Sequence, residues 1–168
     1  VGFFAGLAPD LDILIQSSTD PILFLEYHRQ FTHSLLFIPF GSLIVALVLF
    51  PLFKRSMSIK TVYLASLLGY ATHGLLDACT SYGTQLFWPF SNERVTWNNI
   101  SIVDPLFTIP VLILIGIAIK TKKKVFSFFS IAWIVFYLFL GFVQYERALT
   151  AANELANERG HNPERLTP

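Results

Sequence analysis

Four long apolar segments divide the sequence. They cover residues 35–53, 61–79, 105–119 and 125–144. A helix that crosses a bilayer needs about 20 predominantly apolar residues, so each segment is close to the required length. Asp104 followed by Pro105 is a typical helix start, with a capping carboxylate and a proline in the first turn. The pattern predicts an all-α fold, a polytopic transmembrane helical bundle with about four spans.

Two further helices are predicted outside the spans. One begins at Asp20-Pro21, continues to Arg29 and would lie at the membrane interface. The other is an amphipathic helix in the tail, residues 145–168, with its apolar residues on one face. We expect one integral membrane domain over residues 1–168. Because the sequence begins inside an apolar, glycine-containing stretch, we also expect a helix upstream of Val1.

The composition agrees with a membrane protein. Of the 168 residues, 54% are hydrophobic and 14% are charged, and the mean hydropathy is +0.57. Soluble domains carry about 25% charged residues. The same values argue against a disordered chain. A single cysteine excludes a disulfide scaffold, and a net charge of +1 argues against nucleic acid as a partner.

The basic residues predict the orientation in the membrane. Lys54, Arg55 and Lys60 lie in the loop after the first span, and four lysines lie at residues 120–124, after the third. In a four-span protein these two loops are on the same side, which the positive-inside rule places in the cytoplasm. We therefore expect a multi-pass protein of the inner (plasma) membrane. Residues 10–34 and 80–104 would be on the non-cytoplasmic side.

Ionisable residues are rare within this apolar background, and six of them fall near one predicted membrane face. They are Asp10, Asp12, His28, His33, His73 and Asp77. His73 and Asp77 are four residues apart and therefore share a helical face inside the second span. A charged group there costs roughly 2.5 to 3.5 kcal/mol on insertion scales, and such groups are usually paired or functional. His161, the fourth histidine, lies alone in the tail.

Imidazole and carboxylate groups are ligands for divalent transition metals. The six residues predict a metal site, with zinc preferred and manganese, iron or cobalt as alternatives. Each residue also has a simpler interpretation. Asp10 and Asp12 would cap a turn, the His73–Asp77 pair would join helices, and Arg29 would anchor at the interface or bind a phosphate.

Four motifs in a fixed order resemble a known family. They are PDLD at residues 9–12, HRxxTHS at 28–34, HxxxD at 73–77 and TxYGTxLxxPF at 80–90. Together they resemble the membrane-bound metal-dependent hydrolases of bacteria and archaea, also described as LexA-binding, inner-membrane-associated hydrolases. One departure is Gln30, where a glycine is common in the family. The resemblance implies a metal site and hydrolysis but no particular substrate, and it implies additional chain at both ends.

The expected function is metal-dependent hydrolysis at the non-cytoplasmic membrane interface. A bound metal lowers the pKa of its water to about 7, and Asp12 would act as the general base. Arg29 would hold an anionic group, such as the phosphate of a lipid or another phosphoester substrate. Two alternatives remain open from the sequence. One is metal-ion or proton-coupled transport, and the other is a structural membrane protein without catalysis.

Overall fold

The computed structural model describes residues 1–20 and 22–161, and over these residues the protein is helical without β-strands. An isolated β-bridge joins Thr84 and Val95. The α-helices are α1 (Gly2–Leu7), α2 (Leu23–Tyr27), α3 (Ile38–Phe53), α4 (Ile59–Ala78), α5 (Pro105–Thr121) and α6 (Lys124–Glu158). Two 3-10 helices cover Pro9–Leu14 and Phe31–His33. The predicted all-α class is confirmed.

The chain divides into two compact units at Thr96. In the first unit, α4 packs against both α3 and α1. The contact with α1 is very close, because a Cβ atom on Gly69 would overlap the carbonyl oxygen of Gly2. Small residues permit such close backbone approach between helices in membranes. In the second unit, α5 and α6 pack against each other.

The polarity of the first unit is inverted relative to a soluble domain. Ser42, Ser66, His33 and Thr84 are fully buried, whereas large apolar side chains of α3 such as Leu52 are exposed. The second unit also exposes apolar side chains over most of α6, where 6% of the most apolar stretch is buried. Contiguous apolar surface of this kind requires lipid or a partner to cover it.

By length and composition, α6 is the one described helix that by itself can cross a membrane. α3 qualifies only together with residues 23–33, from which it is bent by 86°, and α5 is apolar but has 17 residues. α4 has 20 residues, but its polar side chains exclude it from the candidate spans. The predicted bundle of four spans is therefore not confirmed, although a helix lies at each predicted position.

The flanking helices differ in length from the prediction. The interfacial helix is limited to α2, which has five residues, and Pro21 at its predicted start lies outside the described residues. The tail is helical to Glu158 but continues α6 without a break, so it forms no separate helix. Residues 162–168 of the predicted tail also lie outside the described part. As predicted, Asp104 caps α5, since its Oδ1 accepts a hydrogen bond from Phe107 N at 3.1 Å.

Candidate metal centre

Three separate segments bring four ionisable side chains together in the first unit. The 3-10 helix Pro9–Leu14 supplies Asp10, the 3-10 helix Phe31–His33 supplies His33, and the last turns of α4 supply His73 and Asp77. One ligand atom from each residue lies within 4.8 Å of the other three. We call these residues the four-residue cluster. They are a subset of the six residues predicted from the sequence.

The spacing of the cluster fits a metal ion. His73 Nε2 lies 3.2 Å from both Asp10 Oδ1 and Asp77 Oδ2. His33 Nε2 lies 3.2 Å from Asp77 Oδ2 and 3.6 Å from Asp10 Oδ1. Four ligands in a tetrahedron with bonds of about 2.1 Å would be about 3.4 Å from one another. The four observed separations agree with this edge length.

The hydrogen bonding of the cluster supports the same interpretation. Three of its atoms are buried without a hydrogen-bond partner among the described residues: His33 Nε2, His73 Nε2 and Asp77 Oδ2. Buried polar atoms are nearly always satisfied, so three unpaired atoms that face one another need an explanation. A cation bound between them would satisfy all three. The residues present therefore fit a divalent metal ion.

Asp12 lies behind His33 and is fully buried. Its carboxylate accepts hydrogen bonds from the backbone N–H of Arg29 at 3.0 Å and the hydroxyl of Thr32 at 2.9 Å, and it pairs with His28 Nδ1 at 2.9 Å. Because the Thr32 hydroxyl donates to Asp12, it accepts from the Nδ1–H of His33 at 2.9 Å. This arrangement leaves His33 Nε2 directed at the cluster, as is usual for metal-binding histidines.

Arg29 connects the cluster to the loop after α4. Its Nη2 lies 3.2 Å from Asp77 Oδ1, and its Nη1 donates to the Thr80 hydroxyl at 2.9 Å. Asp77 therefore directs one oxygen at Arg29 and the other at the histidines. Arg29 has a φ of 59°, a left-handed conformation that is uncommon outside glycine, and its side chain is 11% exposed. The surrounding contacts must hold it there.

The acidic and basic groups of the site shift one another's pKa. His33 and His73 hold the pKa of Asp10 far below its usual range. Burial opposes ionisation of Asp12, but the nearby imidazole of His33 and hydrogen bonds from His28, Arg29 and Thr32 together lower its pKa to about 2. Burial also opposes protonation of His33. The carboxylates of Asp10, Asp12 and Asp77 outweigh it and raise its pKa to about 10. Positive charge is strongly favoured at the centre of the site.

The structure separates the six predicted ligands into two layers. Asp10, His33, His73 and Asp77 form the cluster, whereas His28 and Asp12 are paired with each other beside it. Arg29 contacts Asp77 and Thr80. The site also includes contacts of Thr32, Thr80 and Arg94, which are not among the residues predicted from the sequence. Thr32 and Thr80 occupy positions in the motifs HRxxTHS and TxYGTxLxxPF, whereas Arg94 lies outside the four motifs.

An inverted polarity and a group of ligands suited to a divalent cation define a helical membrane protein with a candidate metal site. The family model described as "YdjM inner membrane protein" matches residues 1–148, and the chain belongs to this family. The family indicated by the sequence motifs is thus confirmed. The family and the apolar helix α6 indicate the inner membrane as the location.

A curated relative is the "Uncharacterized protein YfhP" of Bacillus subtilis (strain 168). It is 33% identical over 110 residues, which cover 66% of this chain and 33% of the relative. The matched region is thus about one third of that protein's length. No solved structure matches the chain.

Proposed function

We propose that the protein is a metal-dependent hydrolase of the inner membrane and that Asp10, His33, His73 and Asp77 hold its metal ion. The observation that carries this proposal is the four-residue cluster itself. Its ligand atoms come from three segments and lie within 4.8 Å of one another. Three of them are buried without a hydrogen-bond partner among the described residues. A merely structural His–Asp pair would not need all four.

Two imidazole nitrogens and two carboxylate oxygens suit zinc best, with manganese, iron and cobalt as alternatives. With a water as a further ligand beside the four side chains, such an ion would lower the pKa of that water to about 7 and would supply a Lewis acid for the bond to be hydrolysed. Asp10 is the most accessible member of the cluster, with 48% of its side chain exposed, while His33 is fully buried. Substrate and water would therefore approach beside Asp10.

The geometry favours different roles for Asp12 and Arg29 from those expected from the sequence. Asp12 is buried and already accepts several hydrogen bonds, so we propose that it orients His33 instead of acting as the general base. Both terminal nitrogens of Arg29 have partners, Asp77 and Thr80. We propose that Arg29 fixes Asp77 in place and that it does not bind a substrate phosphate directly.

The position of the cluster on the α3–α4 pair supports a substrate at the membrane interface. The cluster involves the residues just before α3 and the last turns of α4. Lys54, Arg55 and Lys60 lie at the opposite end of the same helix pair. By the positive-inside rule, this arrangement supports a position of the cluster on the non-cytoplasmic side of a multi-pass protein. We propose that the substrate is a lipid or a phosphoester.

Metal content and hydrolysis can be measured on the full-length protein in lipid nanodiscs. We expect about one metal ion per chain in the wild type and its loss in His73→Ala and Asp77→Asn. His161→Ala, which changes the exposed histidine of the tail, is the matched control and should retain the metal. Hydrolysis of a panel of phospholipids and soluble phosphodiesters should follow the metal content.

Two results would contradict the proposal. If the wild-type protein stays metal-free after incubation with zinc, manganese, iron or cobalt, the four-residue cluster is not a metal site. A metal-loaded protein that hydrolyses no member of the panel, but moves metal ions or protons across proteoliposomes, would favour transport. In that case Asp77→Asn should abolish the flux.

A further inference from the structure

Arg94 lies in the loop after α4, 17 residues beyond Asp77, and contacts the backbone at the end of α2. Its Nη2 donates to the carbonyl oxygens of Leu25 at 3.1 Å and His28 at 3.0 Å. Its Nη1 donates to the carbonyl of Gly83 at 3.4 Å. The guanidinium thus joins its own loop to the end of α2. With five residues, α2 is too short to be stable without such contacts.

Two cations lie near the ring of Tyr82. The guanidinium carbon of Arg94 is 4.8 Å from the centroid of its ring, and that of Arg29 is 5.2 Å away. The ring of His28 is also near, with centroids 5.8 Å apart. A guanidinium within about 6 Å of an aromatic ring is attracted to its face. Tyr82 therefore holds Arg29 and Arg94 in one arrangement despite their like charge.

Arg94 and Tyr82 both contact the turn formed by His28 and Arg29. Its backbone is strained, with Arg29 at a φ of 59°, and the carbonyl of Arg29 accepts a hydrogen bond from Gln85 N at 3.0 Å. From this turn, the Arg29 N–H reaches Asp12 and the Arg29 guanidinium reaches Asp77. A small shift of the turn would therefore move both the carboxylate behind His33 and a member of the cluster.

We propose that Arg94 and Tyr82 are positioning residues of the metal centre, which hold the His28–Arg29 turn and through it Asp12 and Asp77. This inference rests on the proposed metal site. Neither residue belongs to the cluster, and both act through Arg29 and His28. Because the three carbonyl contacts need a planar guanidinium with donors in a fixed fork, lysine cannot replace Arg94. The Tyr82 hydroxyl makes only a long hydrogen bond of 3.5 Å to the Leu25 carbonyl, whereas its ring contacts both guanidinium groups, so phenylalanine can replace it.

The test compares zinc dissociation constants of the full-length protein in nanodiscs, measured by competition with a chromophoric chelator. Substitutions behind metal ligands typically weaken binding 10- to 100-fold. We expect a loss in that range for Arg94→Gln, Arg94→Lys and Tyr82→Leu. Tyr82→Phe keeps the ring and should bind zinc about as tightly as the wild type. Arg147→Gln is the matched control, because Arg147 is exposed and contacts Gln144 in the other unit.

A purely structural role gives a different result. In that case Arg94→Gln and Tyr82→Leu would lower the melting temperature of the chelator-treated protein but leave the zinc dissociation constant of the folded protein unchanged. This outcome would overturn the proposal. An equal loss of affinity in Tyr82→Phe and Tyr82→Leu would also overturn it, since the hydroxyl and not the ring would then be required.

A metal-independent measurement separates this proposal from the proposed function. Hydrogen exchange of the Arg29 amide reports its bond to Asp12 in chelator-treated protein. If the wild type binds none of the metals, the proposed function fails, but Arg94→Gln and Tyr82→Leu should still accelerate this exchange at least tenfold. An unchanged exchange rate in both variants would refute the positioning role, whatever the metal result.

Discussion

His73 Nε2 and Asp77 Oδ2 lie 3.2 Å apart, one turn from each other on α4, and both atoms are buried without a hydrogen-bond partner among the described residues. Helical geometry by itself places them on one face. It does not explain why two polar atoms point at the same place and remain unsatisfied. Asp10 and His33 complete the arrangement from two other segments, so the pair forms one half of the candidate metal site.

Removing the charge of Asp12 should weaken metal binding without removing a ligand. In Asp12→Asn, the carboxamide cannot accept all the hydrogen bonds now made by His28, Thr32 and the Arg29 backbone. We expect a 10- to 100-fold higher zinc dissociation constant, which is typical for partners of metal-binding histidines. Asp20→Asn is the matched control, since the exposed Asp20 side chain accepts a hydrogen bond from Ile22 N and has no other partner in the described part of the chain. An effect of equal size in both variants would contradict the role of Asp12.

Adding a methyl group to Gly74 should disturb the cluster through the backbone. A Cβ atom there would lie 2.9 Å from the carbonyl oxygen of His33, so α4 and the His33 segment would have to separate. Overpacking of this kind costs about 1–3 kcal/mol. We expect Gly74→Ala to lower the melting temperature and to weaken zinc binding about tenfold, as for other changes behind metal ligands.

Gly116→Ala tests whether the effect of Gly74→Ala comes from the contact. Gly116 lies in α5, and a Cβ atom there meets nothing within 4 Å. Since alanine favours helix by roughly 0.5–1 kcal/mol over glycine, this variant should be as stable as the wild type or more so. Equal destabilisation by the two substitutions would show that the close approach to His33 is not important.

The stability of the chelator-treated protein should depend on pH in a specific direction. The pKa of His33 is raised from 6.5 to about 10. Its contribution is therefore complete below pH 6.5 and is lost as the pH rises towards 10. The pKa of Asp12 is lowered from 3.8 to about 2, so its contribution is present above pH 3.8 and lost below that. The melting temperature should be highest between about pH 4 and 6.5.

Bound zinc should oppose the loss of stability that the chelator-treated protein shows above pH 6.5. Metal binding requires a deprotonated imidazole and releases protons, so the increase in melting temperature caused by zinc should grow from pH 6 to pH 9. Thermal unfolding with chelator and with zinc, over the same pH series, measures both effects. A melting temperature that rises from pH 6.5 to 9 in the presence of chelator would contradict the charge assignment of His33.

Cysteine labelling can test the proposed sidedness. In a Cys79→Ala background, Ser56→Cys and Asn92→Cys place single exposed thiols in the loops before and after α4. A membrane-impermeant maleimide should label Asn92→Cys in intact cells and Ser56→Cys only after permeabilisation. The opposite pattern would place the metal site on the cytoplasmic side, and labelling of both from outside would mean that α4 does not cross the membrane.

The helical class and the His73–Asp77 pair could be predicted because both depend on local periodicity. The helices at the four predicted spans begin within three residues of the predicted starts, and the Asp104 cap depends only on neighbouring residues. The choice among Asp10, Asp12 and His28 could not be predicted. Two short 3-10 helices orient these side chains, and tertiary contacts determine such elements.

The number of spans was equally difficult to predict from sequence. α4 contains Ser66, Tyr70 and His73, which lower its hydropathy but face the interior of the first unit, where Ser66 and Tyr70 are buried. A hydropathy profile does not distinguish polar groups that face a neighbouring helix from polar groups that face water. The contacts of Arg94 with α2 and His28 could not be predicted either, because they join segments that are more than 60 residues apart in the sequence.

The unbroken course of α6 has a geometric consequence. Its 35 residues extend about 52 Å, whereas the hydrocarbon core of a bilayer is about 30 Å thick. With residues 125–144 in the lipid, residues 146–158 would extend for about a further 20 Å along the same axis. The charged groups of Glu146, Arg147, Glu154 and Glu158 would then lie at increasing distances from the lipid headgroups.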